Sequence, residues 1–177
     1  MRQRMLGTAR LFAVLARLAL WIAAFGLILM TAMVAWQVFS RYVLNASPSW
    51  TEAASILVMS WFIFLGAAVG VRENFHMGFD VLLHFLPASA TPWLRGISDV
   101  AILAFGLGMV VYGGQLTLQT WTATIPVLGL PGGFTYMPLV VGGVLIILFT
   151  LERLALRLAG YPVDQDPNAE EIAMTEA

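Results

Sequence analysis

The chain has 177 residues, of which 60% are hydrophobic and 11% charged, with a net charge of −1 and a mean hydropathy of +0.85. A soluble domain of this size carries about a quarter of its residues as charges, so a water-exposed globular surface is excluded. No cysteine is present, which removes disulfides, thiol chemistry and cysteine-ligated metals or clusters, and all nine basic residues are arginines.

The chain opens with a basic segment, residues 1–17, holding Arg2, Arg4, Arg10 and Arg17. The apolar run that follows, Leu18 to Ser40, is too long for a signal peptide and lacks a small-x-small cleavage site, so it reads as a retained membrane span. A second span is predicted over Ala53 to Val71. Between Asp99 and Glu152 there is no charge at all. That interval is too long for one crossing. The breakers Thr124-Ile125-Pro126 and Gly129-Leu130-Pro131-Gly132-Gly133 divide it into a third span, Val100 to Trp121, and a fourth, Phe134 to Leu151. The expected fold is therefore all-α, a four-helix membrane domain over residues 18–159. Residues 160–177 turn acidic (Asp164, Asp166, Glu170, Glu171, Glu176) and read as a disordered tail.

Orientation follows from the arginines. Eight of them flank the ends of spans one, two, three and four that share one membrane side, and Arg41 alone falls on the other. The positive-inside rule then places both termini in the cytoplasm.

Glu52 stands at the start of span two and is the nearest candidate for an ion or proton site. Ser49-Trp50-Thr51-Glu52 also fits a capping box, with the acid facing the positive end of the helix dipole, and this structural reading is preferred. The connection back to Arg41 is short enough to permit an Arg41–Glu52 pair. After Arg72, the residues His76, Asp80 and His84 fall at i, i+4 and i+8, opposite Phe75, Phe79, Leu82 and Leu86. The pattern predicts an amphipathic helix lying in the membrane interface between spans two and three. A metal on that stripe is conceivable from ligand type, but no closed ligand set accompanies it and a solvated polar face is the commoner outcome. Thr91-Pro92 reads as an N-cap and first helical position, with Asp99 as a helix-start acid paired to Arg95. Neutral polar groups within the spans, such as Thr31, Ser55, Ser60 and Thr117, are expected to bond to neighbouring helices. Gly66 and Gly70 form a GxxxG motif suited to close helix approach, within this chain or with another, and Gly106, Gly113, Gly142 and Gly143 are further small positions. Trp50 and Trp121 read as interface anchors, Trp61 as a packing residue.

Arg41-Tyr42-Val43-Leu44-Asn45, Ser49-Trp50-Thr51-Glu52, Trp61, Phe64-Leu65-Gly66-Ala67-Ala68, Arg72, His76 and Asp80 follow one another in an order and spacing that resembles the small membrane subunit, DctQ-like, of tripartite ATP-independent periplasmic (TRAP) transporters. Downstream, Ile125-Pro126, Leu130-Pro131 and Tyr136-Met137-Pro138 continue the likeness, which runs from Arg10 to Gly160. Ala53 departs from it, where the family often shows a second acid after Glu52. The resemblance implies a multi-pass protein of the bacterial inner membrane with no catalytic activity and no cofactor of its own. It implies two protein partners besides the lipid bilayer. One is a large multi-span subunit that holds sodium ions and substrate, and the other a periplasmic protein that captures a carboxylate-bearing acid. No nucleic-acid partner is expected. Arg41, Trp50, Glu52, Trp61, Gly66, Gly70, Arg72, His76 and Asp80 then become candidate structural or partner-interface positions. Two other classes compete. A haem-bearing anchor of a respiratory enzyme needs axial ligands within spans, whereas His76 and His84 lie in the interfacial segment. An autonomous oligomeric exporter would need Glu52 as its functional acid.

Overall fold

A computed structural model describes residues 2–46, 48–73 and 91–158, with side chains described for 12–46, 48–73 and 96–157. Among the described residues, four helices are long and apolar enough to cross a membrane. They are α1 (Arg2–Tyr42), α2 (Trp50–Arg72), α3 (Thr91–Gln119) and α4 (Met137–Leu158), with a short 3₁₀ turn at Gly132–Thr135 leading into α4. The interfacial helix expected between spans two and three, with His76 and Asp80, lies outside the described residues, as does the acidic tail.

The basic N-terminal segment and the first span are one unbroken helix. Polar groups at the helix ends mark out the thickness of the slab. Glu52 to Arg72 on α2 and Asp99 to Gln119 on α3 each cover about 30 Å of helix at 1.5 Å per residue, close to the ~30 Å hydrocarbon core of a bilayer. The packing order is α1 on α2, α2 on α4, and α4 on α3.

Two buried clusters hold this arrangement. In one, Ala16, Ala68, Met109, Ile146 and Phe149 meet, flanked by Phe12, Phe64, Val71 and Ile102. In the other, Ala19 and Ala23 of α1 sit against Leu65 and Val69 of α2. The α1 contribution is alanine at nearly every buried position, while its large residues, Trp21, Phe25 and Ile28 among them, face outward. Small residues inside and large ones outside is the expected arrangement in lipid, where burial of apolar bulk brings little gain and backbone approach brings much.

Glycines make the closest approaches. A Cβ on Gly142 would come within 2.8 Å of Phe64 Cβ and 3.1 Å of the Phe64 carbonyl oxygen, so α4 crosses α2 here with no room for a methyl group. Gly143 and Gly106 oppose each other across α4 and α3, where a Cβ on Gly143 would lie 3.0 Å from the Gly106 carbonyl oxygen. Gly66 and Gly70 make no such approach among the described helices, which leaves the contact with another chain open. A Cβ on either would meet nothing within 4 Å among the described residues, so the GxxxG motif brings no two of the described helices together.

Hydroxyl groups also depart from the expected pattern. Thr31, Ser60, Thr117 and Thr150 donate to the carbonyls of Leu27, Ile56, Gly113 and Ile146, four residues back on their own helices. A short hydroxyl side chain reaches its own preceding turn more easily than a neighbouring helix.

Replacing Gly142 by alanine is expected to push α4 from α2 and cost about 1–3 kcal/mol, the usual toll of overpacking. Gly66→Leu should leave the stability of the isolated chain unchanged. Thermal or SDS unfolding of the two purified variants compares them directly.

Candidate functional site

The one dense group of ionic side chains among the described residues lies at the end of the bundle where α2 stops, α3 starts and α4 stops. Asp99 is 2% exposed, in the third turn of α3. Its Oδ1 accepts from Arg153 Nη2, and its Oδ2 accepts from Arg157 Nη1 at 2.5 Å. Arg153, itself only 6% exposed, also donates through Nη1 to the Val71 carbonyl at 3.2 Å, drawing the end of α2 into the same group. Beside this, Arg72 Nε donates to Glu152 Oε2 at 3.3 Å, and the Arg72 guanidinium lies 5.8 Å from the centroid of the Phe149 ring.

Each contact has a local cause. Arg153 and Arg157 are four residues apart on α4 and share one helix face, so a single carboxylate placed opposite can serve both. Both arginines occupy the last turns of α4, and Arg72 the last turn of α2, where a cation meets the negative end of a helix dipole. The Val71 carbonyl is one of the terminal carbonyls of α2 that the helix cannot satisfy internally, and Arg153 supplies its donor.

Asp99 is therefore not the helix-start acid expected from sequence. Its partners are on α4, because α3 begins two turns earlier at Thr91 and Asp99 faces the bundle instead of the aqueous end. The side chain of Arg95, its expected partner, lies outside the described residues. Nothing in the sequence pairs Asp99 with α4. The available signal was the (i, i+4) arginine pair closing span four.

At the opposite end the charges are sparse and apart. Ser49 precedes α2 with φ −69° and ψ −20°, a helical conformation, and its side chain makes no capping bond, so the capping box does not form. An N-cap side chain reaches the free amides from an extended backbone, which Ser49 lacks. Thr51 makes a different local bond: it is fully buried and donates through Oγ1 to the Pro48 carbonyl at 2.8 Å. Glu52 is exposed in the first turn, Arg41 is exposed in the last turn of α1, and no ion pair joins them among the described residues. Trp50 is exposed beside Glu52, and Trp61 packs against the cluster of Ala19, Ala23, Leu65 and Val69. The candidate positions thus divide. Arg72 joins the ionic group, Trp61 the interior, Gly66 and Gly70 an open face, and Arg41, Trp50 and Glu52 the far membrane boundary.

Chemically, the ionic group fastens helices. Its carboxylates are engaged by guanidinium groups, which suits cohesion and not proton or ion transfer. Among the described residues no three His, Asp or Glu side chains come together to hold a metal ion.

The family model described as "Tripartite ATP-independent periplasmic transporters, DctQ component" matches residues 30–160. A putative TRAP transporter small permease protein of Haemophilus influenzae is 33% identical over 132 residues, covering 72% of this chain and 80% of that protein. A sialic acid TRAP transporter small permease protein of Vibrio cholerae is 24% identical over 123 residues, 70% of this chain and 71% of its own length. A C4-dicarboxylate TRAP transporter small permease protein of the same organism is 28% identical over 91 residues, 51% of this chain and 39% of its own length.

Breaking the clasp tests its weight. Asp99→Asn leaves two guanidiniums without their carboxylate and should cost about 3–5 kcal/mol, the range for removing one partner of a buried pair. Glu152→Gln, at the more exposed Arg72 pair, should cost less than about 1 kcal/mol. Equilibrium unfolding in detergent reads both values.

Proposed function

Because this chain belongs to the DctQ component family of TRAP transporters, we propose that it is the small membrane subunit that steadies the scaffold of a sodium-coupled, binding-protein-dependent importer of carboxylate-bearing organic acids. As a TRAP small permease subunit it is a multi-pass inner-membrane transporter component and not an enzyme, which sets aside the respiratory-anchor reading.

One observation carries the scaffold role. The stretches 18–40, 53–71 and 100–151 hold no Asp, Glu, Arg, Lys or His, and the ionic groups at the membrane boundary are used to tie α2, α3 and α4 together. Coupled transport generally requires intramembrane charges or unwound backbone near the midplane. In this reading sodium ions and substrate are held by a large multi-span partner subunit, and a periplasmic binding protein delivers the substrate. The carboxylate class is supported by two relatives, named for C4-dicarboxylates and for sialic acid, both of which carry carboxylate groups. The open face at Gly66 and Gly70 offers a partner helix room for close approach. Arginines gathered on one membrane side support cytoplasmic termini.

Reconstitution tests the role. Proteoliposomes with the large subunit, the binding protein and this chain should take up organic acid in a sodium gradient, and omission of this chain should abolish uptake. Full-rate uptake by the large subunit without it would overturn the scaffold assignment. A reporter fused at the C-terminus should be active only in the cytoplasm.

A further inference from the structure

The connection between α3 and α4 has properties that neither the bundle packing nor the family assignment uses. Its depth follows from the clasp. With Asp99 and Arg153 paired at one membrane boundary, α3 rises about 30 Å to its last residue, Gln119, whereas Arg153 back to Met137 accounts for only about 24 Å. The α4 side therefore stops roughly 6 Å below the α3 end, near the limit of a hydrocarbon core about 30 Å thick. Tilting the helices would lower both ends further. Residues 120–136 thus start and finish within about 6 Å of that far boundary.

Their shape and chemistry suit that depth. Ile125 N–H donates to the Leu130 carbonyl at 2.7 Å and Gly132 N–H to the Ala123 carbonyl at 2.6 Å, making a small hairpin. Leu128 N–H donates to the Pro126 carbonyl at 2.9 Å around Val127, whose φ is 72°. This is the positive-φ form of the γ-turn, a strained conformation, and for a β-branched residue doubly so. The strained valine is 61% exposed and Leu130 38%, and no charged side chain occurs anywhere between Val100 and Leu151. Apart from the two prolines, residues 123–132 have N–H groups at 123, 124, 125, 127, 128, 129, 130 and 132, and five of those eight are bonded within the turn. Such partial self-pairing fits the headgroup boundary, where some water remains. Hydrocarbon would demand that every donor be met. The base is braced by Trp121 stacked on Phe134 at 5.8 Å, and Leu118, 77% exposed, continues the apolar surface down α3.

We propose that the Pro126–Leu130 tip inserts into the boundary between headgroups and acyl chains of the leaflet opposite the ionic clasp, as an apolar anchor at that end of the bundle. The occupant is lipid, because the tip is continuous with the exposed apolar surface of α3, springs from helix ends near the boundary and carries no charge. Interfacial anchoring by apolar and aromatic groups is a general way of fixing depth in a bilayer. The proposal does not depend on the partner assignment.

The natural chain lacks cysteine, so Val127→Cys and Leu130→Cys each introduce a single reporter thiol, and Ser49→Cys marks an exposed position at the same membrane end. In liposomes holding the full chain with its co-purifying subunits, labelling by a membrane-impermeant maleimide is read on the small-subunit band. Both tip positions should react at least an order of magnitude more slowly than Ser49→Cys. A polarity-sensitive fluorophore attached to the same thiols should be quenched by lipids spin-labelled near the carbonyl end of the acyl chain, more strongly than by aqueous iodide. Labelling at the Ser49→Cys rate would put the tip in water and overturn the proposal. Slow labelling without lipid quenching would mean that a protein covers it, and would overturn it equally.

Discussion

The carboxylate of Asp99, shared between two guanidinium groups of α4, sets the register of half the bundle. Apolar side chains gain little by exchanging lipid for protein, so shape and polar pairing must decide how membrane helices meet. A charge withdrawn from water is tolerated only if it is paired, and removing the partner costs far more than the pair contributes. Arg153 adds a bond to the free carbonyl of Val71, so one arginine links three helices. The clasp leaves α3 and α4 only one vertical alignment, and the depth of every group above it follows.

Away from that boundary the same medium favours close backbone contact. Gly142 lies against the Phe64 backbone, and Gly143 against Gly106, so that α4 nests between α2 and α3. Alanines do similar service where α1 meets α2. Large residues are left for the outer surface. The result is a unit whose ionic groups tie α2, α3 and α4 together at one end and whose spans are neutral, in keeping with the proposed scaffold role.

Where local expectations failed, backbone conformation, reach or solvation decided the outcome. The capping box needs Ser49 in an extended conformation, and the chain enters α2 already helical, so that bond is not made; buried Thr51 instead donates to the Pro48 carbonyl, a different contact. The hydroxyls of Thr31, Ser60, Thr117 and Thr150 turn to their own preceding turn because that carbonyl is within reach. Glu52 and Arg41 face outward at a boundary where water can solvate both, so no pairing is forced on them.

The number of crossings, their approximate limits and the break at Thr124 to Gly133 were determined by the sequence alone, because hydrocarbon sets a length for each apolar run and prolines and glycines interrupt it. The family motifs were equally legible, being runs of neighbouring residues. The partners of Asp99, 54 and 58 positions away, were decided only in the folded bundle, as was the division of glycines into those facing helices and those facing out. A helix that is apolar on every side has no hydrophobic stripe to reveal its rotation. Which face turns inward therefore follows from how the helices cross and where their charges must find each other.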